Sequence, residues 1–407
     1  MKPSTNGPVH ILLNRKGQEN CGVFSFAARP KRYHQVELSG LIVHFSTAWR
    51  PIFIQRSRQW PNALEWIKIT LSGTKFYYAS LGYGDLATLF GQYYVPCPMD
   101  GREVLSSFDP LSQIGVRKTL KTLDELPELL KKAEGGGGGQ LEDICEAIAS
   151  WKVFYLFELP RILKCKVNIL PPDSMICDYN VLPVIVSTGC LNNCGFCTVK
   201  DGTEFEVRPM GNIKAQVDEI TSALERELES FRGAFIGNLD ALFAPDDLLF
   251  YAIDILRQKA PWIKNFFLFG SVHSLLEKDL SFFENLNALG ANFFINIGME
   301  SLDNKTLALI KKPVSLRKVE SAWEKIELIN MTFPFLEVSM NILASPVFPA
   351  SHWQRLILKL EKESHSSRGT IYLSPLDAPV GRWFFDLVKS IQIRSKRHVR
   401  LYNLVGL

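Results

Sequence analysis

From Leu182 onward the sequence alternates short apolar runs with stretches of helical periodicity, and this alternation restricts the possible folds more than any other feature. The runs occupy 182–186, 234–237, 265–270, 291–298, 335–343 and 370–373. Helical patterns lie between them, near 212–230, 246–259, 279–289, 303–330 (broken at Pro313) and 351–363. Continuous apolar runs suit strands covered on both faces, which is the condition of a parallel sheet with helical crossovers. In the first helical stretch Asn212 stands at a cap position, and Ile213, Val217, Ile220, Leu224, Leu228 and Phe231 share one face. Leu316, Val319, Trp323, Ile326 and Ile329 repeat that register further on. Right-handed crossovers leave two architectures open: a barrel left incomplete after six units, or an open doubly wound sheet. A barrel gathers its ligands at the carboxyl ends of its strands.

The first apolar run leads directly into Ser187-Thr188-Gly189-Cys190-Leu191-Asn192-Asn193-Cys194-Gly195-Phe196-Cys197. Three of the chain's eight cysteines fall within eight residues, spaced C-x3-C-x2-C. One loop can turn such closely spaced sulfurs onto a common centre, and thiolates are ligands of both iron–sulfur clusters and zinc. A structural zinc site closes with four protein ligands, yet after Cys197 the next His or Cys is His273. The spacing, with Phe196 before the last cysteine, resembles the signature of the radical S-adenosylmethionine (SAM) superfamily. That resemblance implies a 4Fe-4S cluster on Cys190, Cys194 and Cys197, whose open iron chelates the amino and carboxylate groups of SAM. It also implies an enzyme, and it selects the partial (β/α)6 TIM-like barrel over the doubly wound sheet. The activity implied is reductive cleavage of SAM to a 5′-deoxyadenosyl radical, which takes hydrogen from a substrate that the sequence does not name. An electron donor such as flavodoxin or ferredoxin is the partner implied.

The strand ends extend the resemblance. Gly237, Asn238 and Asp240 stand where relatives carry a glycine pair and an acid that meet the SAM ammonium, with Asn238 in place of the second glycine. Helix capping is the other role open to Asp240. Gly298-Met299-Glu300-Ser301 is similar to a glycine-x-glutamate-serine segment whose polar groups face the SAM ribose, so Glu300 would accept from ribose hydroxyls; a surface ion pair is its alternative. Ala344 occupies a position where relatives set glycine backbone against adenine. Arg208, eleven residues past Cys197, would pair with the SAM carboxylate or cap the following helix. His273 either faces the site or serves the structure. Cys197-Thr198-Val199 resembles methylthiotransferases that modify RNA or protein. A reading from another class is a non-catalytic, zinc-stabilised protein that uses the basic tail at 394–400 on nucleic acid.

Composition sets the remaining bounds. Apolar residues at 46% and charged residues at 22% describe an ordinary globular chain, and a net charge of +4 over 407 residues does not by itself call for nucleic acid. No 18-residue window is apolar and free of charge, and the first residues carry no apolar signal core, so no membrane span is expected. Five further cysteines are scattered singly, which fits a reducing cytoplasm. Residues 1–134 read as a β-rich α+β domain: 36–43 and 67–71 are strand-like, as are Phe76-Tyr77-Tyr78 and Tyr93-Tyr94-Val95. Trp49, Trp60 and Trp66 form either the core of that sheet or a substrate surface. A helix opens at Thr122, and the five glycines of 135–139 read as a flexible linker. A helical connector (140–180), the barrel (181–376) and a C-terminal helix with its basic tail (377–407) complete the expected organisation.

Overall fold

The computed structural model describes residues 10–16, 32–38, 41–56, 65–69, 75–80, 94–98, 125–131, 139–167, 169–177, 179–192, 194–197, 204–225, 227–363, 368–376 and 382–402. Of the sequence expectations, Thr122, Trp60, Tyr93, 135–138 and Thr198-Val199 lie outside these residues, as does the side chain of Trp66. Two compact units share the chain. One holds residues 1–104, 108–164 and 224–230; the other holds 105–107, 165–223 and 231–407.

The first unit contains seven antiparallel strands in sequence order: β1 (His10–Lys16), β2 (Arg32–Leu38), β3 (Leu41–Phe45), β4 (Pro51–Arg56), β5 (Glu65–Ile69), β6 (Lys75–Ser80) and β7 (Tyr94–Pro98). The stretch 36–43, which reads as a single strand, is divided into β2 and β3, with Leu38 opposite Leu41. Val36, Val43 and Ile54 lie in register across three strands and are fully buried, so alternation gives the sheet one apolar face. Trp49 stacks on His34 with ring centroids 4.4 Å apart, which makes it a packing residue of this sheet. Arg50, which is buried, pairs with Glu227 at 2.5 Å. Helix α1 (125–131) and helix α2 (Gly139–Val153) follow, and a π-helical turn (Phe154–Glu158) leads into α3 (Leu159–Leu163).

The second unit is built on one parallel sheet. Its strands are β8 (Val181–Ile185), β11 (Gly233–Gly237), β12 (Asn265–Ser271), β13 (Asn292–Glu300), β14 (Leu336–Ala344), β15 (Ile371–Pro375) and β16 (Val399–Leu401), and they pair in that order. A doubly wound sheet reverses direction at an interior strand; this one never does. Crossovers of one hand in an unreversed order put every helix on the same face, which is the winding of a barrel left open between its first and last strands. The helices that follow successive strands are α4 (Met210–Ala223), α5 (Asp246–Lys259), α6 and α7 (Val272–Glu277, Leu280–Ala288), α8 and α9 (Asn304–Leu309, Leu316–Thr332), α10 (Ala350–Glu361) and α11 (Arg382–Arg394).

Three details differ from expectation. Helix α4 stops at Ala223, short of 230. Helix α6 is an extra turn, closed by a capping box in which Ser271 and Ser274 exchange bonds. The basic tail contributes a seventh strand, β16, and Arg397 within it is buried between Glu363 and Glu327, with Trp323 beneath its guanidinium at 5.3 Å. Its charge is matched inside the fold and is not offered to phosphates. No helix among the described residues is long and apolar enough to cross a membrane.

Register assigns the two faces of the sheet. Ile236, Leu268, Ile295 and Val338 form an apolar row, as a helix-covered face requires. The opposite face runs Phe235, Phe267, Phe294 on one side, then Asn296, Ser339, Asn341 and Tyr372 on the other. Asn296 and Asn341 bond reciprocally through their amides, and Asn296 also donates to Ser339 at 2.8 Å. Ser339 and Tyr372 in turn donate to Asp173, at 2.7 and 2.8 Å, from the 3-10 turn Pro172–Cys177. Burial pushes the Asp173 carboxyl up to about 7.

Candidate active site

The cysteine loop leaves the carboxyl end of β8 and is clamped at its base. A two-residue ribbon pairs β9 (Ser187–Thr188) with β10 (Glu206–Val207), and the Arg208 amide donates to the Val186 carbonyl at 2.8 Å. Two contacts fix the loop's outer part. The Gly195 amide donates to the Ile310 carbonyl at 3.2 Å, and a Cβ at Gly195 would sit 3.0 Å from the Lys311 side chain. Phe196 packs on an apolar cluster of Ile310, Leu343 and Phe348, joined by Trp353 and Leu376. The aromatic residue of the cysteine signature therefore anchors the loop against the turn after α8 and the ends of β14 and β15.

All three thiols are free; Cys194 is buried, while Cys190 and Cys197 are half-buried. Burial pushes the Cys194 thiol up to about 11 against the pull of the nearby Lys312 ammonium, and it raises Cys190 as well. A metal centre binding here would displace protons from thiols that hold them firmly. Among the described residues no three His, Cys, Asp or Glu side chains are gathered on a single ion point.

The neighbouring strand ends supply buried oxygens in want of donors. Gly237 closes against β8 so tightly that a Cβ would lie 2.6 Å from the Phe235 ring, and the Asn238 amide donates to the Ser187 carbonyl at 3.1 Å. Beside this junction Ser187 Oγ, Asn238 Oδ1 and one oxygen of Asp240 are buried without a hydrogen-bond partner among the described residues, as is Ser374 Oγ on β15. The other oxygen of Asp240 accepts from the Ser271 amide (2.9 Å) and the Ser274 hydroxyl (2.7 Å). Asp240 thus does not cap its own helical turn; it braces the start of α6 and keeps one oxygen open. Burial raises its carboxyl.

The end of β13 is organised differently. Gly298 makes room for the Glu300 carboxylate, which folds back to 2.7 Å from where a Cβ would stand; Glu300 itself sits at φ 68°. Its Oε1 accepts from Lys312 at 3.1 Å, and the same ammonium donates to the Gly298 carbonyl at 3.0 Å. The pair is buried, with side chains 10% and 6% exposed, so the surface ion pair open to Glu300 in the sequence is here an interior one. Ser301 Oγ lies 2.7 Å from His352 Nδ1, and His352 Nε2 reaches the Leu343 carbonyl at 3.1 Å. A carbonyl can only accept, so Nε2 carries the proton and Ser301 donates to Nδ1. Burial holds His352 down to about 4, neutral at ordinary pH. The Ala344 carbonyl accepts from the Leu376 amide. His273, half-exposed, stacks on Phe243 at 5.6 Å.

The structure therefore brings the cysteine loop together with Ser187, Asn238 and Asp240 on one side and with Lys312 on the other. Lys312 and His352 escaped the sequence reading. His352 carried a signal, since it precedes Leu356 and Leu360 by four and eight residues on the buried stripe of α10. Lys312 carried none: a turn after α8, not a spacing rule, returns it to Glu300.

No family model matches this chain, and no curated protein matches it in sequence. Solved structures align with it loosely. A radical SAM methyltransferase from Sphaerobacter thermophilus aligns at 12% identity and a TM-score of 0.41 over 54% of this chain and 65% of its own, so this chain spans just under two thirds of that protein. SuiB of Streptococcus suis aligns at 11% and 0.39 over 83% of this chain and 70% of its own. Methylornithine synthase (PylB) aligns at 14% and 0.36 over 68% and 77%. Likeness at this level assigns neither family nor activity.

Proposed function

We propose that the chain is a radical SAM enzyme, with a 4Fe-4S cluster on Cys190, Cys194 and Cys197 and SAM lying across the adjacent strand ends. The observation that carries this reading is the juxtaposition of a three-thiol loop with buried, partnerless oxygens at the carboxyl end of a singly wound parallel sheet. Asn238 Oδ1 and the open oxygen of Asp240 accept hydrogen bonds, and an amino group of SAM donates them; an unmet buried acceptor costs about 1–3 kcal/mol, so binding relieves a standing penalty. When bound, the cluster and SAM supply reductive cleavage to methionine and a 5′-deoxyadenosyl radical that takes hydrogen from a substrate. The chain's own task is to hold the loop, orient SAM and exclude water. Phe196 and Gly195 do the first, Ser187, Asn238 and Asp240 the second, and the aromatic row Phe235, Phe267 and Phe294 the third. Arg208, Gly237 and Ala344 border the same region and complete the proposed SAM contacts, while Gly298, Glu300 and Ser301, the last two met by Lys312 and His352, shape the wall against which SAM lies. An electron donor of the flavodoxin or ferredoxin kind supplies the electron.

Anaerobic reconstitution with iron and sulfide tests this. A brown protein with about four irons per chain, releasing 5′-deoxyadenosine from SAM on reduction by dithionite, supports the reading. A colourless protein that retains zinc and leaves SAM intact overturns it.

A further inference from the structure

Lys214 and Lys259, exposed on α4 and α5, both pair with Asp218, at 2.5 and 2.9 Å. The surface that runs from the start of α8 to the first turn of α9 is not neutralised in this way. Residues 304–319 contain no Asp or Glu, and Lys305, Lys311, Arg317 and Lys318 are exposed there. None of these makes an ion pair among the described residues. The same segment is tied to the cysteine loop. The Gly195 amide donates to the Ile310 carbonyl at 3.2 Å, and the Lys311 stem lies 3.0 Å from where a Gly195 Cβ would stand. One hydrogen bond thus joins the basic surface to the residue bonded to Cys194. Lys311 holds φ 50°, which glycine adopts at less cost, so the backbone alone does not call for lysine there. Between Lys305 and Lys311, Leu309 is 56% exposed, and the cysteine loop leaves Leu191 44% exposed. Unpaired cations around bare apolar side chains suit an acidic protein surface: charge steers the encounter, and contact removes the apolar area from water.

We propose that residues 304–318, with Leu191 of the cysteine loop, are the docking surface for an acidic one-electron carrier protein. The inference rests on the radical SAM reading above. In each encounter the carrier is oxidised by one electron and the cluster is reduced by one, with no bond made or broken. Redox encounters are brief and bury little area, which a few unpaired charges around small apolar contacts can provide. A polyanion such as RNA would meet the same charges, but it has no use for Leu309 or for a hydrogen bond leading into the cysteine loop.

The test compares two reductants on the reconstituted full chain, following release of 5′-deoxyadenosine from SAM. One is a flavodoxin or ferredoxin kept reduced by its reductase and NADPH, at limiting concentration; the other is dithionite. With the parent chain, the carrier-driven rate should fall as salt rises from ~50 to ~300 mM. Lys305→Gln, Lys311→Gln, Arg317→Gln and Lys318→Gln combined should lower the carrier-driven rate about tenfold at low salt and remove most of its salt dependence. The dithionite-driven rate should hold. Equal losses with both reductants, or an unchanged carrier-driven rate, overturn the proposal. So does a parent chain that dithionite drives and neither carrier does. Salt-sensitive retention of bulk transfer RNA, lost in the combined variant while the carrier-driven rate holds, would make the surface a polyanion site and also end it. If the combined variant takes up no iron, Lys305→Glu decides alone: a loss confined to the carrier supports the proposal, and anything else ends it. A parent chain that releases no 5′-deoxyadenosine with dithionite overturns the radical SAM reading itself, an outcome distinct from these.

Discussion

The two rims of the strand-end site handle their buried polar groups in opposite ways. On the β8–β11 rim, Ser187, Asn238 and Asp240 each keep a buried oxygen without a partner. On the β13–β14 rim, Glu300 is met by Lys312, and Ser301 by His352, which in turn reaches Leu343. Unmet buried acceptors are costly and rare in folded proteins, so several side by side mark surface shaped for a ligand. Satisfied ones mark a wall whose geometry the protein sets by itself. The first rim should respond to SAM, and the second to anything that disturbs the fold.

The sharpest test removes what lies between the rims. Changing Cys190, Cys194 and Cys197 together to alanine should take iron from about four per chain to near zero and abolish SAM cleavage. Cys177→Ala should spare both, since Cys177 lies buried behind Gly233 and away from the loop. Iron retained in the triple variant would place the centre elsewhere and dissolve the comparison.

The polar wall behind the closed rim makes a prediction in pH. Asp173 ionises near 3.8 in the unfolded chain and at about 7 in the fold, because burial disfavours its charge. Between those values the unfolded state releases a proton that the folded state keeps, so stability falls as pH rises from about 4 to about 7 and is flat above that. The difference between the two states amounts to roughly 4 kcal/mol. Asp173→Asn should remove most of that slope in urea unfolding measured at pH 5 and pH 8. An unchanged slope would mean that Asp173 is ionised in the fold.

Much of this was legible in the sequence, but unevenly. Strands and helices of the second unit announced themselves because each buries an apolar stripe, as with Val319, Trp323 and Ile326 on α9. The winding did not, because periodicity reports burial and not strand order. The cysteine loop was visible because its spacing is local. Lys312 and Asp173 were invisible for the opposite reason. Lys312 meets Glu300 from twelve residues on, past a helix and a turn that no spacing rule fixes, and Asp173 meets Tyr372 across 199 residues, which no window contains. Arg397 shows the hazard of reading charge from composition: it sits in a basic run, yet it is buried between two acids.

On the closed rim, Ser301→Ala leaves His352 Nδ1 and the Asp303 amide without the hydroxyl they share. The expected cost is about 1–3 kcal/mol of stability, seen as a lower melting temperature, with SAM affinity nearly unchanged. A loss of SAM affinity at constant stability would move Ser301 to the open rim, where the family resemblance would set it.

The smallest effect belongs to the open rim, and its sign is what matters. Asn238→Ala deletes an acceptor that is buried without a partner among the described residues, so the free protein should lose nothing measurable and gain at most about 0.5 kcal/mol. SAM should instead bind about tenfold more weakly, ~1.4 kcal/mol by calorimetry on the reconstituted protein. Ser301→Ala and Asn238→Ala thus form a crossed pair, one trading stability and the other affinity. If Asn238→Ala unfolds the protein while SAM affinity holds, the junction between β8 and β11 is a structural joint. The difference between the rims would then be one of packing alone.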